Sequence, residues 1–237
     1  MIAENITSLR KRIESKCLEV KRNSSEIKLI AVSKTYAIDF ILEALKKGIN
    51  DFGENKAQEF SSKYGRLGDK VTWHFIGHLQ RNKVRYVVPA ADYIHSVDSI
   101  LLASEINKYA ARSNKIQKIL LQVKTSYEES KSGIGNPDEL LELARFCESS
   151  ANIEQVGLMT IAPLTDDTTL IRQSFKQLRK LKDDLNSKGF ILKDLSMGMT
   201  SDFEIAIEEG ATMLRIGSAI FGERTRQIPD IKNWKES

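Results

Sequence analysis

The chain has 237 residues, 41% hydrophobic and 29% charged, with a formal net charge of +4 from 36 basic and 32 acidic side chains. This size allows one large domain or two small ones with a full core, and so slight a basic excess, with no like-charge run beyond three residues, argues against a nucleic-acid partner. Cys17 and Cys147 stand far apart, which excludes a disulfide framework and a CxxC metal site, and no apolar stretch approaches the ~18 residues of a membrane span.

Residues 1–22 carry charge throughout, unlike a signal peptide, so a cytoplasmic protein without membrane attachment is expected. Within them Ile2, Ile6, Leu9, Ile13, Cys17 and Val20 recur at steps of three and four. This predicts an amphipathic N-terminal helix packed on its own domain. Short β-rich runs follow at 28–34, 50–54, 73–77, 93–97, 118–123, 155–160, 194–198 and 213–218. Helix-period segments separate them at 38–48, 55–66, about 79–88, 99–113, 137–150, 167–188 and 202–209. Start signals support three of the helices: Asp98-Ser99, Asn136-Pro137, and Asp202 ahead of a segment that closes on Gly210.

Eight short apolar strands alternating with helices predict a parallel (β/α)8 barrel rather than an open doubly wound sheet. No linker or low-complexity segment interrupts residues 1–237, so one domain is expected.

In such a barrel, chemistry collects where strands end. Lys34 ends the first strand, Asn55 and His78 follow the second and third, and Met159 with Thr160 ends the sixth. Met199, Thr200 and Ser201 follow the seventh, and Gly217 with Ser218 ends the eighth. An amine at the rim of an apolar barrel is partly desolvated, which favours its neutral, nucleophilic form. A lysine that simply reaches solvent fits the same position. The small residues Gly198, Thr200, Ser201, Gly217 and Ser218 allow backbone N–H groups to face a phosphate, although tight turns use the same residues. Together these features fit a phosphorylated aldehyde, either pyridoxal 5′-phosphate or the sugar phosphate of an aldolase.

Other motifs carry less. The DFG at 51–53 lacks the remaining kinase motifs, and GIGNPD at 133–138 lacks the third glycine of a dinucleotide fingerprint. His74 and His78 have no glutamate in the HExxH arrangement, so no metal is expected, and His95 reads as a hydrogen-bonded barrel histidine.

The segments AVSK, DFGEN, WHFIGHLQRNKV, IHSVDS, LLQV, GLMTIAP, LSMGMTSDFEIAIEEG and RIGSAIFGER, in this order from Ile27 to Arg224, resemble the pyridoxal phosphate homeostasis protein family. The resemblance implies the fold of the N-terminal barrel of alanine racemase, the type III fold of pyridoxal phosphate (PLP) enzymes. It implies that Lys34 forms a covalent aldimine with PLP and that Arg215 faces the pyridine nitrogen. Gly217, Ser218 and Thr200, with Met199 and Ser201 beside it, would hold the phosphate, and Asn55, His78 and Met159 would lie near the cofactor. Racemases of this fold carry a second, β-rich domain that completes the site at a dimer interface, whereas here the chain ends after the barrel. The expectation is therefore a monomeric, non-catalytic PLP carrier in vitamin B6 and amino-acid homeostasis, with neither nucleic-acid nor membrane partners and with PLP-dependent enzymes as its candidate clients. A racemase-like enzyme of low activity, or a protein- or RNA-binding module with a vestigial pocket, are the alternatives.

Overall fold

The structure is a computed structural model and describes residues 1–126, 128 and 132–222. Its strands are β1 (Lys28–Val32), β2 (Asp51–Glu54), β3 (Thr72–Phe75), β4 (Tyr93–Val97), β5 (Gln117–Gln122), β6 (Ile153–Met159), β7 (Asp194–Ser196) and β8 (Met213–Ile216). All pair in parallel, and β8 returns to β1 through Ala31↔Ile216, closing the barrel in the order of the sequence.

Two apolar clusters result from the period-2 alternation of strand side chains. A small one, Ile30, Leu120, Met159 and Met213, fills the lumen. A large one lies between the strands and the surrounding helices α2 (Ile38–Lys46), α3 (Ala57–Leu67), α4 (Val84–Val87), α5 (Ile100–Arg112), α6 (Pro137–Glu148), α7 (Thr168–Ser187) and α8 (Phe203–Glu208). Two of the expected start signals hold the caps they resemble. Ser99 accepts from the Leu102 N–H and Asn136 from the Asp138 N–H.

The N-terminal helix α1 (Ile2–Glu19) buries Ile2, Ile6, Leu9, Ile13 and Cys17 against α2, α8 and α9 (Ser218–Phe221), a burial of about 1.5–3 kcal/mol per large apolar side chain. Arg22, just beyond it, donates to the Ile207 and Ala211 carbonyls at 2.8 Å each and so ties α1 to the end of α8. No helix among the described residues is long and apolar enough to cross a membrane.

Element boundaries depart from the expected ones mostly at strand C-termini, where the chain must leave the sheet. The first strand stops at Val32, not Lys34, because the Tyr36 N–H bonds back to the Ser33 carbonyl (3.1 Å) around Thr35, whose φ is +70°. The helix expected over 79–88 begins only as a 3₁₀ turn at Arg81, followed by α4. Before it, the exit of β3 runs so close to that of β2 that a Cβ on Gly77 would stand 2.1 Å from the Asn55 carbonyl oxygen. Asp202 precedes α8 without capping it; its carboxylate accepts from the Met199 N–H at 2.5 Å instead.

Candidate functional site

Lys28, Ile30 and Val32 share one face of β1, and Lys34 follows two residues past the strand, half-buried in its turn. On the neighbouring β8, Arg215 is buried, and Gly217 lies against β1, where a Cβ would be 3.5 Å from the Val32 carbonyl oxygen. Thr200 closes the group. Its hydroxyl is 3.2 Å from that of Ser218 and accepts from the Ala219 N–H at 3.4 Å, so the turns after β7 and β8 meet. Gly198 makes the first of these turns possible: its φ is +93°, and a Cβ there would be 2.6 Å from the Ala206 Cβ.

The remaining site candidates divide. Met159 is buried in the lumen, Met199 is half-buried, and Ser201 is exposed on its turn. Asn55 and His78 line a cavity of about 230 Å³ together with Gln122, Lys124, Ser126 and Ile161. This cavity opens among the loops after β2, β3, β5 and β6; Lys34 and Arg215 lie outside its wall, on the β1 and β8 side. The Asn55 Oδ1 and Ser126 Oγ atoms, both buried, have no partner there.

Behind Arg215 a chain of hydrogen bonds descends through the lumen. The guanidinium donates to the Ser196 hydroxyl (2.6 Å) and to the Thr160 carbonyl (2.8 Å). The Ser196 Oγ lies 2.8 Å from His95 Nδ1, across the lumen from β7 to β4. His95 Nε2 is 2.9 Å from His74 Nδ1, and His74 Nε2 is 2.9 Å from the Asp51 carboxylate. Both ends fix the proton order. A carboxylate only accepts and a guanidinium only donates, so two neutral imidazoles must each carry the proton on Nε2. Burial favours those neutral rings, lowering the pKa of His74 and lowering that of His95 well below its ordinary value. Burial opposes ionisation of Asp51, but the His74 hydrogen bond and Lys28 lower its pKa overall. Burial also brings Arg215 down to about 10, which leaves it charged at neutral pH.

The family model for the alanine racemase N-terminal domain matches residues 3–225. A pyridoxal phosphate homeostasis protein of Aquifex aeolicus is 42% identical over 93% of this chain and 97% of its own length. The chain belongs to the pyridoxal phosphate homeostasis protein family. PipY of Synechococcus elongatus, solved with PLP bound, is 36% identical with a TM-score of 0.83 over 94% of this chain and all of that one (100%). The alanine racemase of Streptomyces coelicolor shares the fold at a TM-score of 0.70 and 17% identity, covering 91% of this chain and 58% of the racemase.

One buried cluster in this family member escaped the sequence reading. The Ser33 hydroxyl donates to Glu54 Oε1 at 2.6 Å, and the Lys63 ammonium donates to the same oxygen at 2.7 Å. Lys63 also reaches Glu59 Oε1 and the Ser33 carbonyl, each at 2.7 Å. Burial pushes the Glu54 carboxyl up to about 7 against the pull of Lys63, and its Oε2 has no partner. The signal was present: Lys63 interrupts the buried stripe of α3 between Phe60 and Leu67. Among the described residues no group of three or more His, Cys, Asp or Glu could hold a metal ion.

Proposed function

We propose that the chain binds pyridoxal 5′-phosphate through a Schiff base with Lys34 and serves PLP homeostasis by holding the aldehyde and passing it to client enzymes, without robust turnover. In this reading the phosphate sits on Gly217, Ser218 and Thr200, and the pyridine nitrogen faces Arg215. The residues present fit the group. A lysine, a buried cation and a hydroxyl–amide cluster lie together on β1, β8 and the turn after β7. PipY, similar over the whole of its length and solved with PLP bound, supports PLP as the ligand.

The observation that carries the non-catalytic part is Arg215. Its acceptors are a hydroxyl and a carbonyl, and the charge of the Asp202 carboxylate helps to keep it ionised. A guanidinium cannot take a proton, so it keeps a facing pyridine nitrogen unprotonated. PLP supplies an electron sink for carbanions, and an unprotonated ring is the weaker sink.

Borohydride treatment of the PLP-loaded protein, followed by peptide mapping, tests the anchor. Reduction should place the pyridoxyl group on Lys34, and Lys34→Ala should abolish the modification; labelling of another lysine would refute the assignment. Amino-acid racemisation assayed at near-stoichiometric protein should stay at background, and robust turnover would refute the carrier role.

A further inference from the structure

Lys34 has no secondary structure of its own to hold it, since β1 has ended and α2 begins only at Ile38. Thr35, the next residue, is β-branched and has a φ of +70°. Non-glycine residues reach this left-handed region at a cost on the order of 1–2 kcal/mol, so the turn relaxes unless neighbours hold it. Two side chains of α3 are such neighbours. Lys63 donates to the Ser33 carbonyl at 2.7 Å, and Glu59 accepts from the Thr35 N–H at 2.5 Å. The same Glu59 oxygen accepts from Lys63 at 2.7 Å, so one ion pair grips the backbone immediately before and immediately after Lys34. Glu54 completes the anchor from the end of β2, accepting from both Lys63 and the Ser33 hydroxyl.

Folding alone does not account for this cluster. Lys63 is 6% exposed and Glu54 is 0% exposed. Burying such charges costs several kcal/mol, which an apolar side chain on the same stripe of α3 would avoid. The cluster also lies on the outer side of the sheet, opposite to the lumen-facing direction of Val32. It grips the chain without entering the space where a ligand would sit.

We propose that Lys63 and Glu59, seated on Glu54, are positioning residues for Lys34: they fix the Ser33–Thr35 backbone so that the Lys34 amine faces the barrel mouth in one pose. The proposal rests on the reading that Lys34 bonds to the aldehyde of PLP. It adds that the pose of the amine, and not the binding of ring and phosphate, depends on α3.

The test compares two ligands that differ at one carbon. Pyridoxal 5′-phosphate has the aldehyde; pyridoxine 5′-phosphate has an alcohol and cannot bond to an amine. The paired variant Glu54→Gln with Lys63→Met removes both buried charges together, which preserves the fold better than removing one. Its rate of borohydride-trapped modification at Lys34 should fall about 10–100-fold, the scale of a misplaced reacting group. Its Kd for pyridoxine 5′-phosphate should stay within about twofold of the parent. Glu59→Gln keeps an oxygen for the Thr35 N–H but weakens the tie to Lys63, and should lose a smaller part of the same rate; it carries the test if the pair does not fold. An unchanged trapping rate, or an equal loss of both ligands, overturns the clamp. Failure of the parent protein itself to label at Lys34 would instead overturn the reading beneath it.

Discussion

Two buried polar networks flank the mouth of this barrel, and they are built on opposite plans. In the lumen, the Arg215 cation on β8 and the Asp51 carboxylate on β2, which also pairs with Lys28 at 3.5 Å, are joined to each other only through the neutral links Ser196, His95 and His74. Outside the sheet, Lys63 touches Glu54 and Glu59 directly. Neutral links with a fixed proton order insulate Arg215 from changes near neutral pH, because both imidazoles are held uncharged. The outer cluster does the reverse: burial lifts the Glu54 carboxyl to about 7 although Lys63 pulls it down. The first plan suits a charge that must stay constant, the second a brace whose strength comes from its charges.

The largest effect that separates the two plans is on stability. Lys63→Met alone strands Glu54 and Glu59 without their cation, and should destabilise the fold by about 3–5 kcal/mol in denaturant unfolding. Adding Glu54→Gln should recover most of that loss. If the single change is nearly neutral, Lys63 is not the ionic centre of the outer cluster.

The pH dependence is smaller and has opposite signs in the two networks. Glu54 has its pKa raised from 4.5 to about 7, so the folded state holds a proton that the unfolded chain releases between these values. Its contribution therefore favours folding at low pH and is lost as pH rises through 7, by about 2–3 kcal/mol between pH 5 and 8. The two histidines have lowered values, so they favour folding above about 6.5 and oppose it as the unfolded chain takes up protons below that. Glu54→Gln should remove the first slope and expose the second: relative to the parent, the variant should gain stability from pH 5 to pH 8. A pH-independent difference between them would show that Glu54 is ionised throughout.

How legible these networks were in the sequence follows from how they are assembled. The barrel itself was readable, because strands covered on both faces are apolar runs and the helices between them keep a 3.6-residue stripe. The ends of strands were not. Leaving the sheet depends on local turns such as the one at Thr35 and on close approaches such as Gly77 against Asn55, which no period marks. The lumen chain was hidden for a different reason. Asp51, His74, His95 and Ser196 each occupy one position on a separate strand, and His95 meets Ser196 only when closure brings positions 101 apart in sequence to face each other. Pattern alone left Lys34 open between an anchor and a solvated side chain; its assigned role, like that of Arg215, came from resemblance to a family.

The smallest expected effect is a lowered titration, and it tests the lumen network at its centre. Nitrogen-15 NMR of the imidazoles at pH 8 should show His74 and His95 both neutral, with the proton on Nε2, and on acidification both should protonate below the ordinary imidazole range, His95 last. The result discriminates because the alternative is chemically definite. If either ring carried its proton on Nδ1, two hydrogens or two lone pairs would face each other at some link, and Arg215 and Asp51 could not both terminate the chain. A protonated His95 would place a second positive charge one hydroxyl away from Arg215, so the charge presented to the mouth would vary with pH.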